Sequence, residues 1–314
     1  MPVVNFISIL RCFAALIIIN SHCAAFYGAL PSLGTGGAVG NAIFFFTSGY
    51  TLFLGNREIG FGRWFLKRLI RVYPSVWIFL IFSNVFLGEK YNFYDFFVTP
   101  FWFVNAIIIF YVLYYAIVKY IPTKIPVIIL LLCTPYLLTF FFLNDYSVFL
   151  IDYVNNSTCL HWYYYFAIML YGAYCTNHFI DTKSTTIDFI LAMIIYFSIK
   201  STIKYFDCLL IYQFIIPIGL FPICKYALVL SRKLEKGLKD KKKVCWGIGQ
   251  LAKLTLETYI VQFVIIEYYK NLDLPVRLIW VFITVIFVAI ILNRIAKLSR
   301  DLLEKLLNIQ LLIK

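Results

Sequence analysis

Charged side chains are scarce in this sequence, at 14% of 314 residues. A soluble globular domain carries nearer a quarter, so a surface wetted all round is excluded. Acidic residues are scarcer still, 15 against 28 Lys and Arg, for a net charge of +13. Polar stretches longer than a loop are missing, which leaves no room for a separate soluble domain. Histidine occurs three times, and the eight cysteines (12, 23, 133, 159, 175, 208, 224 and 245) include no CxxC and no zinc-ligand spacing. No metal site and no required disulfide are expected; most of these cysteines fall in apolar runs, where a thiol behaves as a small apolar group. A cleavable leader is not expected either. The opening Met-Pro-Val-Val-Asn has no positive charge, and Arg11 breaks the first apolar run.

What the chain has in quantity is apolar length. Hydrophobic residues make up 62% and aromatics 20%, with a mean hydropathy of +0.86. The expected fold is an all-α membrane protein, one polytopic bundle of about ten transmembrane helices, each near the ~20 residues that a bilayer requires. The spans read 5–27, 36–55, 72–88, 100–119, 125–143, 160–178, 186–200, 208–229, 247–269 and 274–293. A single domain over 1–314 is expected, with 297–314 forming a basic amphipathic helix on the membrane surface.

The positive charge sits between spans, at 57–71, 232–243 and 294–305. That is the cytoplasmic-loop bias of membrane proteins, and it argues against nucleic acid as the partner. With both termini cytoplasmic, only Lys90, Lys200, Lys204, Lys270 and Arg277 fall outside, and Arg11 lies within the first span. The loop 144–159 has two Asp and no Lys or Arg, as an outer loop should.

The first span, Ile9-Leu-Arg-Cys-Phe-Ala-Ala-Leu-Ile-Ile-Ile-Asn-Ser-His22, is where chemistry is expected. Ionisable groups inside a span are costly and mark functional sites by default. Eleven helical residues rise about 16.5 Å and turn roughly 20° past three turns. Arg11 and His22 therefore share one stripe at two depths. His22 titrates near neutrality and suits proton transfer; a packing histidine bonded to a carbonyl is the alternative. Arg11 keeps its charge and needs an anion, a carbonyl cluster or a snorkelling route to the surface.

Three further segments stand out. The second span holds Gly36-Gly-Ala-Val-Gly-Asn-Ala-Ile-Phe-Phe-Phe-Thr-Ser-Gly-Tyr50, whose small residues permit close helix approach. The third is entered by Lys67-Arg-Leu-Ile-Arg-Val-Tyr-Pro74, with Arg68 and Arg71 three apart on one helical face. The ninth contains Leu256-Glu-Thr-Tyr259, where Glu257 lies four residues after Lys253, at ion-pair spacing on a helix.

Arg11 and His22 with ten residues between them, the Gly-Gly…Phe-Phe…Ser-Gly-Tyr segment, and Lys-Arg-x-x-Arg-x-Tyr-Pro together resemble the acyltransferase-3 family. Trp102-Phe103…Phe110-Tyr111 and Leu256-Glu-Thr-Tyr259 are further matches. The resemblance implies an integral-membrane O-acetyltransferase that takes acetyl from cytosolic acetyl-CoA. The acceptor it implies is a surface glycan, as a lipid-linked or surface precursor of O-antigen, capsule or exopolysaccharide. The setting it implies is the bacterial cytoplasmic membrane. By position, Arg11 and His22 are the essential pair, and Arg68 with Arg71 is the required arginine pair at the cytoplasmic mouth. Two positions depart from the family pattern. Ile107 stands where many members have Glu, and Gln262 stands near the place of a His.

Glu257 is the candidate for the assisting acid that these departures leave unassigned. His161 and Trp162, opening the sixth span, and Trp102 are candidates for contact with a sugar ring; the first two also suit interfacial anchors. His178 reads as surface. A lipid-linked glycan transporter or polymerase without acyl chemistry shares the span count and the basic loops, and a family member serving only as a structural partner is the third reading.

Overall fold

The computed structural model describes residues 5–28, 30–55, 59–143, 160–178, 182–203 and 206–307. The outer loop 144–159 with Cys159, the basic residues Arg57 and Lys204, and the segments 1–4 and 308–314 lie outside the described residues. The described chain is all-helical. Its α-helices are α1 (Phe6–His22), α2 (Gly37–Phe53), α3 (Phe61–Phe86), α4 (Trp102–Tyr120), α5 (Ile125–Leu143), α6 (Leu160–Tyr174), α7 (Thr182–Ile203), α8 (Ile216–Leu238), α9 (Lys242–Leu251), α10 (Thr255–Tyr268) and α11 (Val276–Leu306).

Among the described residues, four helical segments are long and apolar enough to cross a membrane: Phe61–Phe86, Trp102–Tyr120, Pro122–Phe142 and Val276–Leu306. Their outward side chains are themselves apolar, among them Ile81, Phe82, Val85, Leu130, Leu131, Ile283 and Phe287. Such a surface is stable against lipid and not against water. This is a multi-pass membrane protein.

Several boundaries differ from those expected. α3 begins at Phe61, well before residue 72, because its first turns are amphipathic. Trp64 and Ile70 are buried there while Arg63 and Arg71 are exposed, so average hydropathy conceals the helix. The eighth span opens as a 3-10 segment, Asp207–Ile215, before α8 starts with Pro217 in its first turn, a position that suits proline's missing N–H. The ninth span is two helices, broken at residues 252–254 between α9 and α10. Residues 297–306, expected as a separate surface helix, continue α11 without interruption.

The chain divides into two compact units. The first comprises Met1–Ile17, Gly36–Gly55 and Ala116–Gly249. Within it α2 packs along α6 and α8, α5 packs on α6, and α7 on α8. The α2–α6 contact is a backbone contact. A Cβ on Gly49 would stand 1.7 Å from the Met169 carbonyl oxygen, and one on Gly172 would stand 2.1 Å from that of Phe46. α2 itself starts from Gly36, whose φ of 108° is open to glycine at little cost.

The second unit comprises Ile18–Thr35, Asn56–Tyr115 and Gln250–Lys314. In it α3 packs against α10 and α11, which also pack on each other. The connection before α4 is pinned by side chains. Tyr73 Oη donates to the Phe97 carbonyl (2.9 Å) and Trp77 Nε1 to that of Phe96 (2.8 Å). Asn105 closes the start of α4, donating to the Thr99 carbonyl (2.7 Å) and accepting from its N–H (2.9 Å).

Candidate active site

α1 runs unbroken from Phe6 to His22, so the two ionisable residues of the first span do lie on one helix. Their surroundings fall in different units. In the first unit, Arg11 Nη2 donates to Thr51 Oγ1 at 3.3 Å. The neighbouring Tyr50 hydroxyl accepts from Arg232 Nη2 at 3.0 Å, and the Arg232 guanidinium lies 5.2 Å over the Phe6 ring. Arg232 was visible in the sequence only as one of many loop charges. Nothing there marks it as the partner of the Ser-Gly-Tyr segment.

In the second unit, the His22 ring rests on Phe263, with centroids 4.5 Å apart. Phe263 meets Tyr259 edge-on (6.0 Å), and Tyr259 in turn meets Phe101 (6.3 Å) and Phe103 (5.3 Å). Trp102 packs edge-on against Phe103 at 5.9 Å. The side chain beside the imidazole is Gln262, which is fully buried. Its Nε2 donates to the Tyr259 carbonyl at 3.2 Å. Its Oε1 and the His22 Nδ1 are both buried without a hydrogen-bond partner. Ile107, where the family resemblance would favour Glu, is buried and apolar.

Glu257 lies in the first turn of α10 and is 2% exposed. A carboxylate there complements the positive end of the helix. The break at 252–254 removes the helical turn that would have paired it with Lys253, and Lys253 is exposed. The carboxylate instead accepts from Ser75 Oγ on α3 at 2.7 Å, with Arg71 and Arg300 acting on it electrostatically. Ser75→Ala should therefore destabilise the protein by about 1–3 kcal/mol, the cost of a buried acceptor left without its donor. Thermal unfolding in detergent checks this, and a melting temperature like wild type would rule out a structural role for the Ser75–Glu257 bond.

The arginine pair is split in its contacts. Arg68 lies over the Trp64 ring at 5.3 Å, close to Tyr111 and Tyr114, and its Nε is buried without a partner. The Arg71 side chain is exposed, and its backbone carbonyl accepts from Arg300 Nη1 on α11 at 3.4 Å. Arg300 is braced by Asn293 Oδ1 at 2.7 Å. Sequence reading missed Arg300, although Asn293 and Arg300 stand seven apart, two turns along one helical face.

His161 and Trp162 belong to the first unit. His161 is only 6% exposed and stands edge-on to Trp162 (6.4 Å) and Tyr165 (6.1 Å). It is packed inside the unit. His178 is exposed and stacks on Tyr174. Cys12, Cys23, Cys133, Cys175, Cys208, Cys224 and Cys245 are free thiols.

An apolar helical protein with an arginine and a histidine on one helix, and unsatisfied polar atoms buried beside aromatic side chains, has the features of an intramembrane enzyme. The chain belongs to the acyltransferase-3 family: the family model, an acyltransferase domain, matches residues 4–293. No curated protein and no solved structure matches it. Membership makes the protein an acyltransferase for groups other than aminoacyl, and decides against a transporter without acyl chemistry.

Proposed function

We propose that this acyltransferase moves acetyl from cytosolic acetyl-CoA to a hydroxyl of a surface glycan. The acceptor is a lipid-linked or surface precursor of O-antigen, capsule or exopolysaccharide, and the setting is the bacterial cytoplasmic membrane with both termini inside. The observation that carries this reading is Arg68, whose Nε is a buried donor with no acceptor. A phosphate oxygen supplies the missing partner, and the rigid guanidinium fork favours that geometry. The residues present therefore suit a polyanionic donor. Arg71 adds charge, and Arg300 braces the backbone at Arg71.

Arg11 and His22 share α1, about 16.5 Å apart along the axis, and both keep the essential role that the family pattern implies. His22 acts as general base on the sugar hydroxyl. The hydroxyl oxygen bonds to the thioester carbonyl carbon as its proton passes to the imidazole. The carbon–sulfur bond then breaks, and the leaving thiolate takes the proton back as CoA departs. Glu257, held by Ser75, belongs in this reading with the arginines of α3 and α11. Trp102, and His161 with Trp162, offer aromatic faces and polar tips of the kind that bind sugar rings.

Membranes carrying the native glycan and supplied with radiolabelled acetyl-CoA should place label in base-labile glycan ester. Label that stays on intact acetyl-CoA would sink the reading. Arg68→Ala should raise KM for acetyl-CoA roughly 10- to 100-fold, from the ~1.5–3 kcal/mol typical of hydrogen bonds to charged groups. Arg68→Lys should recover only part of this, since lysine lacks the fork. A wild-type KM in Arg68→Ala would remove this arginine from donor binding.

A further inference from the structure

Two buried polar atoms in the second unit have complementary chemistry and no partners: His22 Nδ1 and Gln262 Oε1. The amide orientation of Gln262 is set by chemistry, because only its NH2 can donate to the Tyr259 carbonyl 3.2 Å away. Oε1 is thereby left as an acceptor. The imidazole lies against Phe263, the residue next to Gln262, with ring centroids 4.5 Å apart and the planes tilted by 39°. The Gln262 side chain is also the one hydrogen-bonding neighbour that acts on the imidazole among the described residues. A neutral imidazole carries its proton on one nitrogen and a lone pair on the other. An acceptor at Nδ1 decides which.

We propose that Gln262 is a positioning residue for acyl transfer. Its Oε1 accepts from His22 Nδ1–H, so that Nε2 keeps the lone pair and faces the acceptor hydroxyl. The proposal rests on the reading of His22 as general base. The cost of burying both atoms unpaired is relieved when they meet. The Tyr259 carbonyl holds the amide nitrogen, which leaves Oε1 as the end of the amide free to meet the imidazole.

The test measures CoA release from acetyl-CoA in native membranes containing Gln262→Leu, Gln262→Glu, His22→Ala or the double variant His22→Ala/Gln262→Leu. Gln262→Leu should lower kcat at least about tenfold, within the ~100- to 10,000-fold that a general base supplies, and leave KM for acetyl-CoA unchanged. Gln262→Glu should recover most of that loss, since either protonation state of its carboxyl offers an acceptor to Nδ1–H. A side chain needed only to fill space would leave Leu as active as wild type, and one needed only to donate to Tyr259 would make the double variant slower than His22→Ala alone. The double variant should be no slower than His22→Ala alone.

Wild-type kcat in Gln262→Leu, or equal losses in Leu and Glu, would overturn the proposal while leaving the base reading intact. Full activity in His22→Ala would instead overturn the base reading itself. Should Gln262→Leu fail to accumulate, Gln262→Glu and the His22→Ala background still decide the matter.

Discussion

Replacing His22 by Ala should reduce transfer about 100- to 10,000-fold, the usual contribution of a positioned general base, with little change in the amount of protein in the membrane. The size follows from what surrounds the imidazole. Phe263 and Gln262 are its neighbours, and neither an aromatic ring nor a neutral amide can take a proton at ordinary pH. Neither of them replaces the lost lone pair. Donor binding should survive, because the arginines assigned to phosphate, Arg68 and Arg71, lie on α3 and not on α1. The expected signature is a fall in kcat with KM for acetyl-CoA retained. Membranes with matched levels of wild type and His22→Ala, given radiolabelled acetyl-CoA, provide the check through label in base-labile glycan. Equal labelling would remove His22 from the chemistry. Loss of labelling would exclude the third sequence reading, a family member that serves only as a structural partner.

Much of this arrangement was legible from residue types alone. An arginine and a histidine in an apolar run are too costly to be incidental, and the unbroken α1 carries both. What could not be read was pairing between helices. A helix that is apolar all round gives no sign of which face meets which neighbour, so the sequence offers Glu257 only Lys253 at ion-pair spacing and not Ser75 on α3. The first-turn position of Glu257 depends on a break at 252–254, inside a segment whose apolar length suggests one continuous span. Ser75 was invisible for the same reason, and Gln262 stood out only as a departure from the family pattern. Each matters through a partner far away in sequence. The basic start of α3 was hidden differently: its charges lower the local hydropathy although Trp64 and Ile70 are buried.

The small residues of α2 show how far such reading reaches, and they set the second large effect. The sequence marks Gly49 as a point of close approach but gives no partner; the partner is the α6 backbone at Met169, with Gly172 returning the contact at Phe46. Without a hydrophobic force between helices inside lipid, packing at such contacts is what holds them together. Gly49→Ala puts a carbon 1.7 Å from a carbonyl oxygen that belongs to rigid backbone, where no rotamer change relieves it. α2 and α6 must separate. Overpacking usually costs ~1–3 kcal/mol, and this contact should lie at or above the upper end. Gly172→Ala, aimed at the Phe46 carbonyl 2.1 Å away, should be nearly as damaging. Ala at Gly237, where nothing lies within 4 Å of a Cβ, should be neutral or slightly stabilising, since Ala is the better helix former. Yield in the membrane and melting temperature in detergent measure all three. If Gly49→Ala accumulates and melts like Gly237→Ala, the backbone contact between α2 and α6 does not hold this unit together.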